Sequence, residues 1–157
     1  VNSALDRIAL AMSRQLQEAG FAALPVPTTQ TVNPARHQGL FSQKLAAHLA
    51  GLGWIGKSCL LITPDHGPRV RWVSVLTDAP LEPGQPMEER CRACRLCIEA
   101  CPAHAFSGAK FVESAPREAR MNAQACYDYR EGMYKITGAR TCGMCVYVCP
   151  YGRMKRG

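Results

Sequence analysis

The sequence predicts an α+β chain in two parts: a helix-and-strand segment over residues 1–78 and a cysteine-organised domain over residues 87–157, joined by a linker at 79–86. Three observations carry this reading. Apolar residues recur at helical spacing and then in short strand-like runs as far as Thr77. Pro80, Pro83, Gly84 and Pro86 crowd into one span, and eight of the nine cysteines come after it.

Ser3-x-x-Asp6 resembles a capping box, and Leu5, Ile8, Ala9, Met12 and Leu16 form a helical apolar stripe that Gly20 ends. Phe21 to Val26 reads as a strand, and the polar stretch Pro27 to Gly39 as a loop. Ser42 can cap a second helix with Leu45, Leu49 and Leu52 on its apolar side, up to the glycines that begin at Gly51. Leu60 to Thr63 and Val70 to Thr77 then read as strands, expected to pair as a hairpin around the turn Pro64-Asp-His-Gly67. Helical stretches are expected after each cysteine loop, and the cysteine motif is the only internal repeat.

The cysteines form two sets, Cys91-x2-Cys94-x2-Cys97-x3-Cys101-Pro102 and Cys126-x15-Cys142-x2-Cys145-x3-Cys149-Pro150. The first matches the bacterial ferredoxin run, in which three close thiolates hold one [4Fe–4S] cluster and the fourth cysteine reaches to the other. Proline after the fourth cysteine fixes φ, removes a donor and turns that cysteine away from its own loop. Crossed ligation follows: Cys91, Cys94, Cys97 and Cys149 for cluster 1, and Cys101, Cys126, Cys142 and Cys145 for cluster 2. The second set departs from the pattern, since Cys126 lies sixteen positions before Cys142. Structural zinc is the weaker reading, because zinc sites pair two C-x2-C units at a distance, whereas four cysteines here crowd into eleven positions. Disulfides need an oxidising compartment, and no apolar signal stretch directs the chain there, so it reads as soluble and cytoplasmic. Cys59, in the apolar run Cys59-Leu-Leu-Ile-Thr63, reads as a small buried hydrophobe.

The 157 residues carry a formal net charge of +7 and include no segment that spans a membrane. Two oxidised clusters held by thiolates add about −2 each and bring the balance to about +3, which weakens the case for nucleic-acid binding from charge alone. Arg153, Lys155 and Arg156 form a basic tail, read as a solvated terminus ahead of a contact with phosphate or an acidic electron donor. The chain begins at Val1 with a helix already under way, as expected of a fragment or a processed product.

Gly51-Leu-Gly-Trp-Ile-Gly56-Lys57-Ser58 satisfies the P-loop pattern, and its glycines also satisfy G-x-G-x-x-G. Both motifs require a strand leading in and a helix leading out. The order here is the reverse, so a phosphate site is refused, and a helix-ending glycine with Trp54 covering the core is expected.

The same run, Ala47-His-Leu-Ala-Gly-Leu-Gly-Trp-Ile-Gly-Lys-Ser58, resembles a stretch of the epoxyqueuosine reductases, as do Val75-Leu-Thr-Asp78 with Pro80-Leu81 and the cysteine sets downstream. The resemblance runs from about Ala47 to Pro150 and extends to the reductive dehalogenases. It implies a partial nitroreductase-like α/β segment before the clusters, and electrons passed from them to a cobalamin. It also implies a flavodoxin or ferredoxin as donor, with a tRNA or a small molecule as substrate. The second cysteine set is more compact than in the tRNA enzymes, and its ending Cys142-Gly-Met-Cys-Val-Tyr-Val-Cys-Pro-Tyr-Gly152 more closely resembles uncharacterised relatives from anaerobes. Corrinoid contacts are expected, if anywhere, at Pro27 to Gly39, at Gly53 to Lys57 and at His66. The rival reading is a non-catalytic electron carrier serving a partner oxidoreductase, since His37, His48, His66 and His104 are scattered and no nucleophile–base arrangement is legible.

Overall fold

The computed structural model describes residues 1–28 and 31–153. Helix α1 (Asn2–Glu18) opens the chain, capped at Val1 without a side-chain hydrogen bond. The expected capping box is absent because Ser3 already lies inside the helix, and Asp6 instead accepts the Thr28 backbone N–H at 3.0 Å. The buried stripe is also narrower than the periodicity suggests. Ala9 and Ser13 are buried, whereas Ile8 and Met12 are each 50% exposed. The helix packs on a two-stranded ribbon, which covers only one i, i+4 row.

Strand β1 (Ala23–Val26) follows. The stretch expected as loop holds a small antiparallel ribbon, β2 (Thr31–Asn33) against β3 (Gln38–Gly39), around a 3-10 turn at Pro34–Arg36. Helix α2 (Gln43–Leu49) begins as expected, with Ser42 Oγ accepting the Leu45 N–H at 3.3 Å. Its buried face is Ala47 with Leu45 beside it, while Leu49 and Leu52 are 40% and 49% exposed, contrary to the expected stripe. Gly51 follows the helix in the left-handed conformation, φ +75°, as the refused P-loop requires.

Strands β4 (Trp54–Ile55) and β5 (Leu61–Ile62) pair antiparallel, with Trp54 opposite Ile62. Strand β6 (Ser74–Thr77) returns to β1, placing Ala23 opposite Thr77 and Val26 opposite Ser74. The expected hairpin between Leu60–Thr63 and Val70–Thr77 therefore does not form. Thr63 and Gly67 exchange two backbone hydrogen bonds at 3.0 Å and close the turn, and Pro68, which lacks an N–H, cannot extend the ladder beyond it.

The cysteine region contributes α3 (Leu96–Glu99), a 3-10 turn at Arg117–Ala119, α4 (Ala123–Thr137) and α5 (Met144–Tyr147). One core joins the two parts of the chain: Ala47, Ile55 and Leu61, with Trp72 and Phe111 packed against them. A second comprises Cys101, Ala105 and Phe106, flanked by Ile98, Met121, Cys126 and Cys145. Residues 79–86 carry no helix or strand, yet Gln85 lies against Gly51 closely enough to leave no room for a Cβ there.

The turn at 64–67 is locked into the end of the chain. Gly67 and Gly152 both have positive φ, and a Cβ on either would overlap the backbone of the opposing segment, Tyr151 in one case and His66 in the other. Arg69 completes the lock, its guanidinium donating to the carbonyls of Tyr151 at 2.6 Å and of Tyr147 and Cys149 at 3.2 Å. Among the described residues no helix is long and apolar enough to cross a membrane.

Gly152→Ala is expected to destabilise the protein by about 2–4 kcal/mol, from left-handed strain plus backbone overlap. Gly132→Ala, inside α4 with open space around it, is expected to stabilise by about 0.5–1 kcal/mol. Denaturant midpoints of the two variants measure both.

Candidate iron-sulfur sites

The short helices place the third cysteine of each set. Cys97 lies in α3 and Cys145 in α5, and these helices pack against each other. Between the two sets the chain makes α4, whose first turn carries Cys126 behind the cap Asn122, with Asn122 Oδ1 accepting the Ala125 N–H at 2.9 Å. The long gap before Cys142 is thus filled by a helix whose N-terminal end favours a thiolate.

Each fourth cysteine lies near cysteines of the other set. Cys149 lines one cavity with Cys91, Cys94 and Cys97. Cys101 shares its apolar surroundings with Cys126 and Cys145, and its sulfur accepts the Ala105 N–H at 3.4 Å. The electrostatics follow the same grouping. Cys145 is pushed up to about 11, by burial first and then by the sulfurs of Cys126, Cys142 and Cys101. Cys97 is pushed up to about 11, again by burial first, then by Cys91 and Cys94, with Cys145 and Cys149 behind them. Burial also raises Cys126, countered by Arg130, and raises Cys149, countered by the Tyr151 N–H and Arg69. The nearness of Cys97 and Cys145 makes the two sites neighbours.

Among the described residues no three His, Cys, Asp or Glu side chains come together tightly enough to hold a single metal ion. Four thiols around a cavity instead suit a polynuclear core, whose irons meet the ligands at separate corners. The donor set suits it too. Crowded thiols that resist ionisation are deprotonated once they coordinate a cation, and all eight side chains supply sulfur.

Sequence reasoning missed the groups behind the ligands. Burial raises Cys91, while the backbone N–H of Lys57 and the indole of Trp54 pull it down. Trp54 is 1% exposed, and its N–H finds no hydrogen-bond partner among the described residues. A Cβ on Gly56 would stand 3.3 Å from Cys91 Sγ and 2.9 Å from Ile62 Cγ1. The stretch that imitates a P-loop is therefore the wall of cluster site 1, and no signal short of the reversed order of helix and strand pointed there.

Cys59 is buried, as expected of a small hydrophobe, but its setting is ionic. Its backbone is left-handed at φ +55°, Lys44 Nζ donates to its carbonyl at 2.7 Å, and Arg120 Nη1 approaches its sulfur at 3.8 Å. Burial raises the thiol while Arg120 and Lys44 oppose it. Burial lowers Lys44, which feels Cys59 and, farther off, Cys145.

The histidines do not converge. His37 stacks on Tyr127 at 4.3 Å and bonds Gln124, His48 bonds the Gly53 carbonyl at 3.0 Å, and His66 and His104 are exposed. Of the basic tail, Arg153 donates to the Tyr147 carbonyl at 3.1 Å instead of standing free in solvent, and Lys155 and Arg156 lie outside the described residues.

Residues 90–152 match the family model for a 4Fe-4S double cluster binding domain. The chain carries a [4Fe–4S] double-cluster domain. Around it, the sequence is 34% identical over 128 residues to an epoxyqueuosine reductase of Listeria monocytogenes serovar 1/2a, covering 73% of this chain and 31% of the relative. Two solved structures share the fold. An epoxyqueuosine reductase with an epoxyqueuosine-modified tRNA-Tyr stem loop gives a TM-score of 0.71 at 23% identity, over 98% of this chain and 39% of that one. A reductive dehalogenase described in connection with B12-dependent dehalogenation gives 0.68 at 23% identity, over 92% and 20%. The chain thus spans about a third of the length of the curated epoxyqueuosine reductase it matches.

The raised thiols predict how the iron-free protein responds to alkali. Folded Cys97 and Cys145 keep protons up to about 11, against 9.0 for the ordinary thiol. A raised folded value contributes stability that is complete below 9.0 and lost as pH climbs toward 11. The melting temperature of the iron-free form is expected to fall across that window, as thermal unfolding followed by circular dichroism at stepped pH would show. Gly56→Ala is expected to cost about 1–3 kcal/mol and lower iron content, since the added methyl presses on Ile62 and Cys91.

Proposed function

We propose that this chain relays single electrons through two [4Fe–4S] clusters to a corrinoid, as part of a reductase similar to the epoxyqueuosine reductases. The observation that supports the reading is that, inside a matched double-cluster domain, Cys149 lies with Cys91, Cys94 and Cys97 while Cys101 lies near Cys126 and Cys145. In this proposal Cys91, Cys94, Cys97 and Cys149 hold cluster 1, and Cys101, Cys126, Cys142 and Cys145 hold cluster 2. When bound, each cluster takes up and releases one electron at a time. The chain's own residues keep the two sites adjacent, through α3 against α5, and shield them with Trp54, Ile62 and Phe106. Arg69 fixes the carbonyls on both sides of Cys149, so the ligand that crosses from the second set arrives in a preset position.

Residues 1–78 are proposed to be part of a nitroreductase-like α/β unit facing the acceptor, with 79–86 as linker and 87–157 as the cluster domain. A flavodoxin or ferredoxin is the proposed donor, and a cytoplasmic setting is proposed. The relatives favour a tRNA-borne or small organic substrate. Of the stretches expected to meet a corrinoid, Gly53 to Lys57 is buried against the cysteine loop, which leaves Pro27 to Gly39 and the exposed His66 as the candidates.

Anaerobic reconstitution of the full-length chain tests the proposal. About eight irons and eight sulfides per chain are expected, with added cobalamin retained and reduced only while both clusters are present. Cys149→Ala should remove the cluster of the first set and Cys101→Ala that of the second. Loss in the opposite sense would refute the crossed assignment, and eight irons without any effect on cobalamin would move the reading to an electron carrier.

A further inference from the structure

We infer that Lys57, together with Trp54, raises the reduction potential of the cluster held by Cys91, Cys94, Cys97 and Cys149. The inference rests on the ligand assignment proposed above and adds two positioning residues outside the cysteine motif.

Lys57 reaches over the first cysteine loop from the front segment. Its Nζ donates to the carbonyls of Arg92 at 2.6 Å and Cys94 at 3.1 Å, so the ammonium is tied to the loop between two ligands. Its backbone follows directly on Gly56, where a Cβ would stand 3.3 Å from Cys91 Sγ, so the chain passes beside that sulfur. Trp54 Nε1, two positions before Gly56 in the same turn, is buried and has no hydrogen-bond partner among the described residues. Gly56, between them, is buried and lets the backbone come against Cys91. One cysteine sulfur thus sits against a short turn that gathers a close backbone, an unpartnered indole N–H and a fixed positive charge.

Reduction adds a negative charge to the thiolate cage. Donors aimed at a ligand sulfur bond more strongly as that sulfur becomes more electron-rich, and a fixed cation favours the more negative state. Both effects are stronger in a buried setting, where water does not screen them. The second site is built differently: the Ala105 N–H reaches Cys101, and the cations that bear on its cysteines are Arg130 and Lys44. A change at Lys57 or Trp54 should therefore move one couple and leave the other.

The test is an anaerobic redox titration of the full-length, cluster-loaded protein, followed by electron paramagnetic resonance, on wild type, Lys57→Met, Lys57→Arg and Trp54→Phe. Lys57→Met is expected to lower one couple by at least a tenfold change in the reduced-to-oxidised ratio at fixed potential, or 59 mV for one electron. Trp54→Phe, which keeps the ring and deletes the N–H, should shift the same couple downward by less, and Lys57→Arg should restore it. Unmoved couples in Lys57→Met and Trp54→Phe at full iron content overturn the inference, and so does an equal shift of both couples. If Lys57→Met fails to load iron, Trp54→Phe decides alone: a lowered couple supports the inference and an unmoved one overturns it. Wild-type protein that never holds eight irons would overturn the ligand assignment, and this inference with it.

Discussion

Thiolates brought close together repel one another, and eight of them are gathered here into two adjacent groups. Burial first, and then the neighbouring sulfurs, push Cys97 and Cys145 up to about 11. Much of the second half of the chain answers that constraint. Cys149 lies with Cys91, Cys94 and Cys97, and Cys101 with Cys126 and Cys145, so each proposed ligand group draws on both stretches. Met121, Phe106 and Ile98 then pack around the crossing. The α3–α5 contact keeps the two groups side by side, as a relay of single electrons needs.

The front segment provides the outer wall of cluster site 1. The turn at 54–58 supplies donors to Cys91 and to the loop carbonyls, and the turn at 64–67 is locked against Tyr151 and Gly152. Arg69 crosses between the two and satisfies three carbonyls around Cys149. These contacts join residues some eighty positions apart, and they make the division at 79–86 a boundary in sequence more than in packing. Apolar side chains nevertheless stay open on the far side of the front segment, with Leu24 and Leu10 both 62% exposed.

Much of the site was legible because cysteine spacing is a local property with a direct geometric meaning. C-x2-C-x2-C can wrap only a small core, and Cys-Pro turns the fourth cysteine outward, so a crossed grouping is expected without tertiary information, and the placement of Cys149 beside Cys91, Cys94 and Cys97 is consistent with it. Refusal of the P-loop was legible for the same reason, since the order of helix, glycines and strand is written in the sequence. Strand pairing was not. Leu60–Thr63 and Val70–Thr77 looked like neighbours, but β5 found β4 across a shorter loop and β6 crossed back to β1, a choice made by packing on α1 and α2. The apolar stripes of α1 and α2 misled in the same way. Ile8, Met12, Leu49 and Leu52 fit the helical period, yet each helix has a partner on one narrow row only.

By itself, the sequence determined the double-cluster domain, the spacing of its eight cysteines, the helix-glycine-strand order at 43–62 and the mixed helix-and-strand character of the chain, because each depends on residues close together along the backbone. The tertiary structure decided what surrounds those ligands: Lys57 and Trp54 at Cys91, Arg69 around Cys149, and Lys44 with Arg120 at Cys59. Hydrogen bonds and charges of that kind act over a few ångströms in space between residues dozens of positions apart, and no spacing rule in the chain encodes them.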